Sequence, residues 1–308
     1  MLPQLAGKQV LTDGGLETTL IFHQGLELPL FAAFTLLKDE SGKAALRAYY
    51  EPYLEVARNE GVGIALDTPT WRANPDWGGQ LGYSAEALDE ANRSGVELIR
   101  ELRERYESAE TPVVISGCIG PRGDGYVAGE LMSADEAEQY HSAQAQIFRE
   151  SDADMISALT MTYAEEAIGI VRAAKTAGLP VTVSFTVEKD GRLPSGQPLR
   201  AAIEQVDRET DGAPVYFMIN CAHPTHFRAV LEEEGPWLDR VRGVRANAST
   251  KSHAELDEAE ELDEGDPKAL AGEYRELADV LPALTVLGGC CGTDHRHIAE
   301  IARACSIT

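Results

Sequence analysis

Short runs of apolar, β-branched residues recur along the chain, and each is followed by turn-forming residues and then by an amphipathic stretch. Eight such runs predict β-strands, at Gln9–Asp13, Val62–Asp67, Val113–Gly117, Met155–Leu159, Val181–Thr186, Val215–Asn220, Val244–Asn247 and Leu284–Leu287. Apolar positions at three- and four-residue spacing predict helices between them, including Ala44–Asn59, Ala85–Tyr106, Ala134–Glu150 and Glu165–Ala177. This alternation is typical of parallel strands joined by crossover helices.

The predicted strands are almost continuously apolar, as a sheet covered on both faces requires. Eight strand and helix units in 308 residues favour a closed (β/α)8 TIM barrel over an open sheet. The glycines after the first strand, in DGGLET at 13–18, lack the G-x-G-x-x-G spacing of a dinucleotide-binding sheet. Because no Gly/Ser/Pro linker divides the chain, residues 1–308 are predicted to form one barrel domain.

The chain is strongly acidic, with 51 Asp and Glu against 27 Lys and Arg, for a formal net charge of −24. Such a surface repels phosphate backbones and anionic lipid, so neither nucleic acid nor a membrane is an expected partner. No apolar run approaches the roughly 20 residues that span a bilayer. The first residues do not resemble a signal peptide, and a cytoplasmic location is therefore expected.

One acidic segment, Glu255–Asp266, has many carboxylates and few strand-forming residues. We interpret it as a solvated helix or loop before the last helices. The alternative is a surface for a cationic partner or for a neighbouring subunit in a homo-oligomer.

The cysteines carry the candidate chemistry. There are five, an odd number without a secretory signal, which favours reduced thiols over a disulfide framework. Active sites of parallel barrels lie at the carboxyl ends of the strands, where Cys221 ends the sixth strand and Cys290 and Cys291 end the eighth. Three thiolates suit Zn(II), which prefers four tetrahedral ligands, so the fourth position would be open to water or a substrate thiol.

The cysteine motifs are part of a wider resemblance. INCAHP at 219–224 and LGGCCGTDHRHI at 287–298 resemble the homocysteine S-methyltransferase family, which includes the betaine and S-methylmethionine enzymes. Further matching motifs are TDGGLETTL at 12–20, DTPTWRANP at 67–75, SGCIGPRGDGY at 116–126 and RANAS at 245–249. The resemblance therefore covers most of the chain and implies a thiol methyltransferase.

By this resemblance, Cys221, Cys290 and Cys291 are the zinc ligands and the catalytic centre. The acceptor thiol, homocysteine in most of the family, would take the fourth position and become methionine. The methyl group would come from a sulfonium or quaternary ammonium donor of the S-methylmethionine, S-adenosylmethionine or betaine type. Both substrates are small molecules.

The resemblance also assigns substrate contacts. Asp13 matches a carboxylate near the homocysteine ammonium, although a turn residue capping the first helix is the alternative. Gly14 and Gly15 would let backbone amides approach the substrate carboxylate. Asn247 is expected to be a hydrogen-bonding scaffold for the site, and Asn220 likewise beside Cys221.

The fourth strand departs from the family pattern. Members that use homocysteine usually have a second carboxylate at the end of this strand, where the present chain has Leu159. Glu165 and Glu166 follow too late and are interpreted as first-turn helix residues. Losing one charge-assisted bond costs about 1.5 to 3 kcal/mol. Either another group replaces it, or the acceptor is a thiol that lacks an amino group.

Other polar and aromatic residues receive weaker assignments. Cys118 is interpreted as a small filler and Cys305 as inert, and Glu17 is given no chemical role. Trp71 and Trp77 could face a methyl-bearing cation or simply pack. His223, His226, His295 and His297 lie near the motif strands and could carry protons, but roles in solvated loops or at helix starts are expected for them.

Two further functions are considered. The same barrel could transfer another alkyl group or take its methyl group from a corrinoid protein. Alternatively, it could be a noncatalytic barrel that binds zinc or thiols.

Overall fold

The computed structural model describes residues 2–305. Its eight parallel strands close into a barrel in sequence order, with β8 paired to β1. The strands are β1 Val10–Leu11, β2 Gly63–Asp67, β3 Val113–Ile119, β4 Met155–Met161, β5 Val181–Phe185, β6 Tyr216–Asn220, β7 Val241–Ala246 and β8 Val286–Gly289. The (β/α)8 barrel predicted from the sequence is confirmed.

Helices surround the barrel. They are α1 Leu16–Thr18, α2 Glu40–Glu60, α3 Pro75–Gln80, α4 Ala85–Tyr106, α5 Ala134–Glu150, α6 Ala164–Ala177, α7 Leu199–Thr210, α8 Pro224–Leu231, α9 His253–Asp257, α10 Pro267–Val280 and α11 His295–Ala304. Within the described range, no helix has the length and apolar character needed to cross a bilayer.

The helix ends follow local sequence signals. At the start of α5, the Ser133 hydroxyl accepts from the Glu136 amide and the Glu136 side chain reaches back to the Ser133 amide, which is a capping box. At the end of α2, Gly61 adopts a left-handed conformation with φ of 65°, which glycine reaches without a Cβ clash. These signals explain why several helices begin and end close to the predicted residues.

The core has two layers. A large layer packs between the outer face of the barrel and the helices. A smaller apolar cluster fills the barrel interior: Val10, Ala65, Val114, Cys118, Met155, Leu159, Tyr216, Met218 and Val286. This cluster fills the barrel up to the open end, where its members Cys118 and Leu159 line the cavity.

Candidate active site

A cavity of about 490 Å³ opens at the carboxyl end of the barrel. Loops after β1, β2, β3, β7 and β8 line it, together with the ends of β4 and β6. Its volume lies in the range of small-molecule sites. The cavity is therefore where a parallel barrel is expected to hold its reaction centre.

Three cysteine sulfurs meet at this cavity. The Sγ atoms of Cys221, Cys290 and Cys291 lie within 4.8 Å of one another. All three residues line the cavity. The convergence follows from the closed barrel, because only β7 separates the end of β6 from the end of β8.

The expectation of reduced thiols is corrected for one pair. Cys221 and Cys290 form a disulfide, with their Cα atoms 5.4 Å apart. Cys118, Cys291 and Cys305 are free. Because the two side chains converge on one point, Cys221 and Cys290 can either form a disulfide bond or, when reduced, bind the same metal ion. Thiolates are the metal-binding form, so metal binding by this pair requires reduction.

The backbone around the sulfurs adopts uncommon conformations. Cys221 has φ of 54° and Thr160, on β4, has φ of 64°. Left-handed conformations in such residues are unfavourable and often occur at functional sites. The Asn220 side chain holds this region: its Oδ1 accepts from the Thr160 amide at 3.0 Å and from the Ser184 hydroxyl at 2.7 Å. Asn220 thus has the scaffolding contacts expected of it.

A buried ion network lies at the floor of the cavity. The Arg245 guanidinium, on β7, pairs with Asp13 Oδ1 at 2.6 Å and with Asp67. Its Nε donates to the Gly289 carbonyl at 3.1 Å, directly before the paired cysteines. The Tyr49 hydroxyl donates to Asp13 Oδ2 at 2.9 Å. Both oxygens of Asp13, expected at the substrate ammonium, therefore have partners within the protein.

The charges of this network depend on one another. Burial raises the pKa of Asp13 to about 6, although Arg245 opposes that shift. Burial also disfavours the charged form of Arg245, but the Asp13 and Asp67 carboxylates outweigh it and raise its pKa above the ordinary range. One guanidinium thus serves two acids.

The first βα loop packs tightly against the cysteine loop. A Cβ atom on Gly15 would lie 2.7 Å from the Cys290 carbonyl oxygen, and one on Gly14 would lie equally close to the Thr293 carbonyl oxygen. The Gly15 amide donates to Thr293 O at 3.0 Å. This corrects the expectation for Gly15, because the amide is used inside the protein. For Gly14, the contact with a substrate carboxylate stays a prediction.

Tyr126 lines the cavity, and His253 packs against it. Their rings stack with centroids 4.0 Å apart, and the Tyr126 hydroxyl lies 3.5 Å from Cys291 Sγ. His253 Nε2 lies 2.8 Å from the Cys221 carbonyl oxygen. Neither Tyr126 nor His253 was singled out from the sequence, although Tyr126 is the last residue of the SGCIGPRGDGY motif at 116–126.

Asn247, which was expected to be a hydrogen-bonding scaffold, is buried, and its backbone N–H donates to the Ala222 carbonyl oxygen at 3.2 Å.

The tryptophans already face a cation of the protein. The Arg72 guanidinium lies 3.9 Å from the Trp77 ring centroid and 5.0 Å from the Trp71 centroid. Asp124 pairs with Arg72 at 3.3 Å. One face of each ring is therefore already in contact with a cation of the protein.

Two further cysteines and four histidines that the sequence analysis named are not part of the sulfur cluster. Cys118 belongs to the barrel-interior cluster and Cys305 follows α11, away from the cavity. Of the four histidines named from the sequence, His223 caps α8 and His297 belongs to the cap of α11. None of the four is among the described residues that line the cavity.

The cavity lining is acidic. Arg72 and Arg245 supply its guanidinium groups. Its carboxyl groups belong to Asp13, Glu17, Asp67, Asp124, Asp257, Glu261 and Asp263. Three of these lie in Glu255–Asp266, expected as a solvated segment, which therefore also covers the mouth. An excess of carboxylates favours cationic small molecules.

Glu17 is one of these carboxyl groups, and burial raises its pKa from 4.5 to about 7. The native state thus holds this proton more tightly than the unfolded chain, so stability falls as the pH rises from about 4.5 to 7. We expect Glu17→Gln to stabilise the metal-free protein by about 1 to 3 kcal/mol at pH 8, and much less at pH 5. Urea denaturation at both pH values measures this difference. An equal gain in the free energy of unfolding at pH 5 and pH 8 would contradict a raised pKa for Glu17.

The fold and the sulfur-lined cavity define a small-molecule barrel enzyme. The sequence model of a family described as homocysteine S-methyltransferase matches residues 10–305. The chain belongs to this family and is a thiol methyltransferase.

Known relatives match this chain over nearly its full length. A selenocysteine Se-methyltransferase from Brassica oleracea var. italica is 24% identical, with 96% of this chain and 88% of that protein covered. The oxidized form of the homocysteine methyltransferase MmuM from Escherichia coli superposes with a TM-score of 0.77 at 20% identity, covering 98% of both chains. Its metallated form superposes with a TM-score of 0.75 at 18% identity and the same coverage. The structural likeness supports the fold.

Proposed function

We propose that the protein transfers a methyl group from a sulfonium or quaternary ammonium donor to homocysteine, giving methionine, with Zn(II) held by Cys221, Cys290 and Cys291. The observation that carries the proposal is the group of three sulfurs within 4.8 Å at the wall of a substrate-sized cavity. The family and a structural relative crystallised in a metallated form support it.

The donor set fits zinc. Three thiolates are soft, anionic ligands that suit Zn(II), and three protein ligands leave a position for a substrate. Bound zinc would supply a positive charge that lowers the pKa of the acceptor thiol, so that a thiolate is present near neutral pH. The Tyr126 hydroxyl and the Asn220 side chain would hold the surroundings of this centre in place.

The bond changes are those of an in-line displacement. A bond forms between the acceptor sulfur and the methyl carbon, while the bond from that carbon to the donor sulfur or nitrogen breaks. The electron pair of the broken bond stays on the donor atom, which loses its positive charge. The acidic cavity would attract the cationic donor, and the enclosing loops would orient the two reactants.

A second acceptor class is favoured by one observation. Leu159 lines the cavity where the family pattern leads us to expect a carboxylate, and Asp13 is already paired with Arg245. A thiol without an amino group would need neither acid. The two acceptor classes are therefore compared directly in the test of function.

The test supplies the reduced, zinc-loaded protein with S-methylmethionine, S-adenosylmethionine or betaine. Homocysteine and 4-mercaptobutyrate, its amine-free analogue, are added at equal concentration, and both methylated thiols are quantified by mass spectrometry. Mainly methionine supports the proposal. Mainly methylated mercaptobutyrate would transfer the assignment to the second acceptor class, and neither product with any donor would contradict methyl transfer from these donors.

A further inference from the structure

Glu17 is held beside the sulfur cluster by the packing of two loops. It lies in α1, and the preceding Gly15 packs against the Cys290 carbonyl. The following residue, Thr18, accepts a hydrogen bond from the Gly292 amide at 3.3 Å. Glu17 itself lines the cavity. The same loops that position the cysteines therefore position this carboxylate.

Within the described part of the chain, the Glu17 side chain makes no side-chain hydrogen bond and no close ion pair. Its own backbone amide bonds to it, and the Arg72 and Arg245 charges act on it from a longer distance. This distinguishes it from Asp13 and Asp67, which share Arg245. A largely buried carboxylate without a partner is destabilising in the free protein. Such a group in a cavity is a candidate for binding a cation from a ligand.

The reaction offers two cations, which differ in one respect. The donor sulfonium or quaternary ammonium loses its charge during transfer, so a carboxylate on it would stabilise the starting state more than the transition state. The ammonium of an amino-acid acceptor keeps its charge throughout. A carboxylate on that ammonium therefore binds the acceptor without opposing the chemical step.

We propose, on the basis of the proposed methyl transfer, that Glu17 binds the ammonium of the acceptor thiol and so selects an amino-acid acceptor. It takes over the role of the carboxylate that is replaced by Leu159 on β4. Leu159 is buried in the apolar cluster inside the barrel and offers this ammonium no charge. Glu17 lines the same cavity as Leu159 but follows β1 instead of belonging to β4.

The test compares acceptors with and without an amino group in Glu17→Gln. We expect kcat/KM for homocysteine to fall about 10- to 100-fold, since a charge-assisted bond is lost. For 4-mercaptobutyrate, we expect a change of less than about threefold, because that thiol never used the bond. Glu104→Gln, which alters an exposed carboxyl group on α4 that does not line the cavity, is the matched control and should leave the ratio unchanged.

Calorimetric titration of both thiols into the reduced, zinc-loaded protein, without donor, separates this inference from the proposed reaction. A selective loss of homocysteine affinity in Glu17→Gln supports the role of Glu17 even if no methyl transfer is detected. An equal fall for both thiols would overturn it, as would unchanged homocysteine affinity. A rise confined to the KM of the donor would overturn it too, by assigning Glu17 to the donor cation.

Discussion

Replacing Cys291 with serine is expected to abolish tight zinc binding and to lower methyl transfer at least about 1,000-fold, because one of the three proposed protein ligands of the metal is lost. The serine hydroxyl is a harder donor and does not ionise near neutral pH. Cys291 is the most informative of the three, since it is outside the Cys221–Cys290 disulfide. Its loss therefore removes a sulfur without removing a cross-link.

Metal content by mass spectrometry and turnover with homocysteine check this prediction, in the presence of a reductant that opens the disulfide. Cys305→Ser is the matched control, because that thiol follows α11 and is remote from the cavity lining. It should retain full zinc content and activity. A Cys291→Ser protein with one tightly held zinc ion and undiminished turnover would refute the three-sulfur site.

Replacing Arg245 with methionine is expected to destabilise the fold by about 3 to 5 kcal/mol. The guanidinium is buried and is paired with Asp13 and Asp67, so its removal leaves two uncompensated acids at the cavity floor. It also removes the hydrogen bond to the Gly289 carbonyl beside the cysteine pair. Urea denaturation near neutral pH, where the uncompensated charges matter most, measures the loss.

A triple variant separates charge from packing. In Arg245→Met combined with Asp13→Asn and Asp67→Asn, the buried acids are also neutralised. We expect this variant to regain most of the lost stability. If the free energy of unfolding of Arg245→Met differs from that of the parent by less than about 1 kcal/mol, the ion network does not stabilise the barrel floor as proposed.

Much of the fold could be predicted because its signals are local. Each of the eight apolar runs corresponds to a strand, and Ala85–Tyr106 and Ala134–Glu150 have the predicted ends. The ends of strands were harder. The regular part of β1 is only Val10–Leu11, while β4 continues to Met161, past its predicted end at Leu159. Pairing with neighbouring strands decides these limits, and a single run of residues does not contain that information.

The sulfur cluster could be located from the sequence because its cysteines follow apolar strands, and strand ends of a parallel barrel share one rim. Arg245 was missed as a charge partner, although an arginine within an apolar strand is itself a signal of a buried pair. Glu17 was given no chemical role from the sequence, although it lies on the same loop as Asp13. Its role depends on the packing of Gly15 against Cys290, which only the folded chain reveals.

The central claim is that the acceptor thiol binds a zinc ion held by three cysteines. X-ray absorption at the zinc edge tests it on the reduced, zinc-loaded protein before and after homocysteine is added. We expect three sulfur ligands at about 2.3 Å and one lighter ligand, which a fourth sulfur replaces when homocysteine binds. A coordination sphere that is unchanged by homocysteine would contradict it.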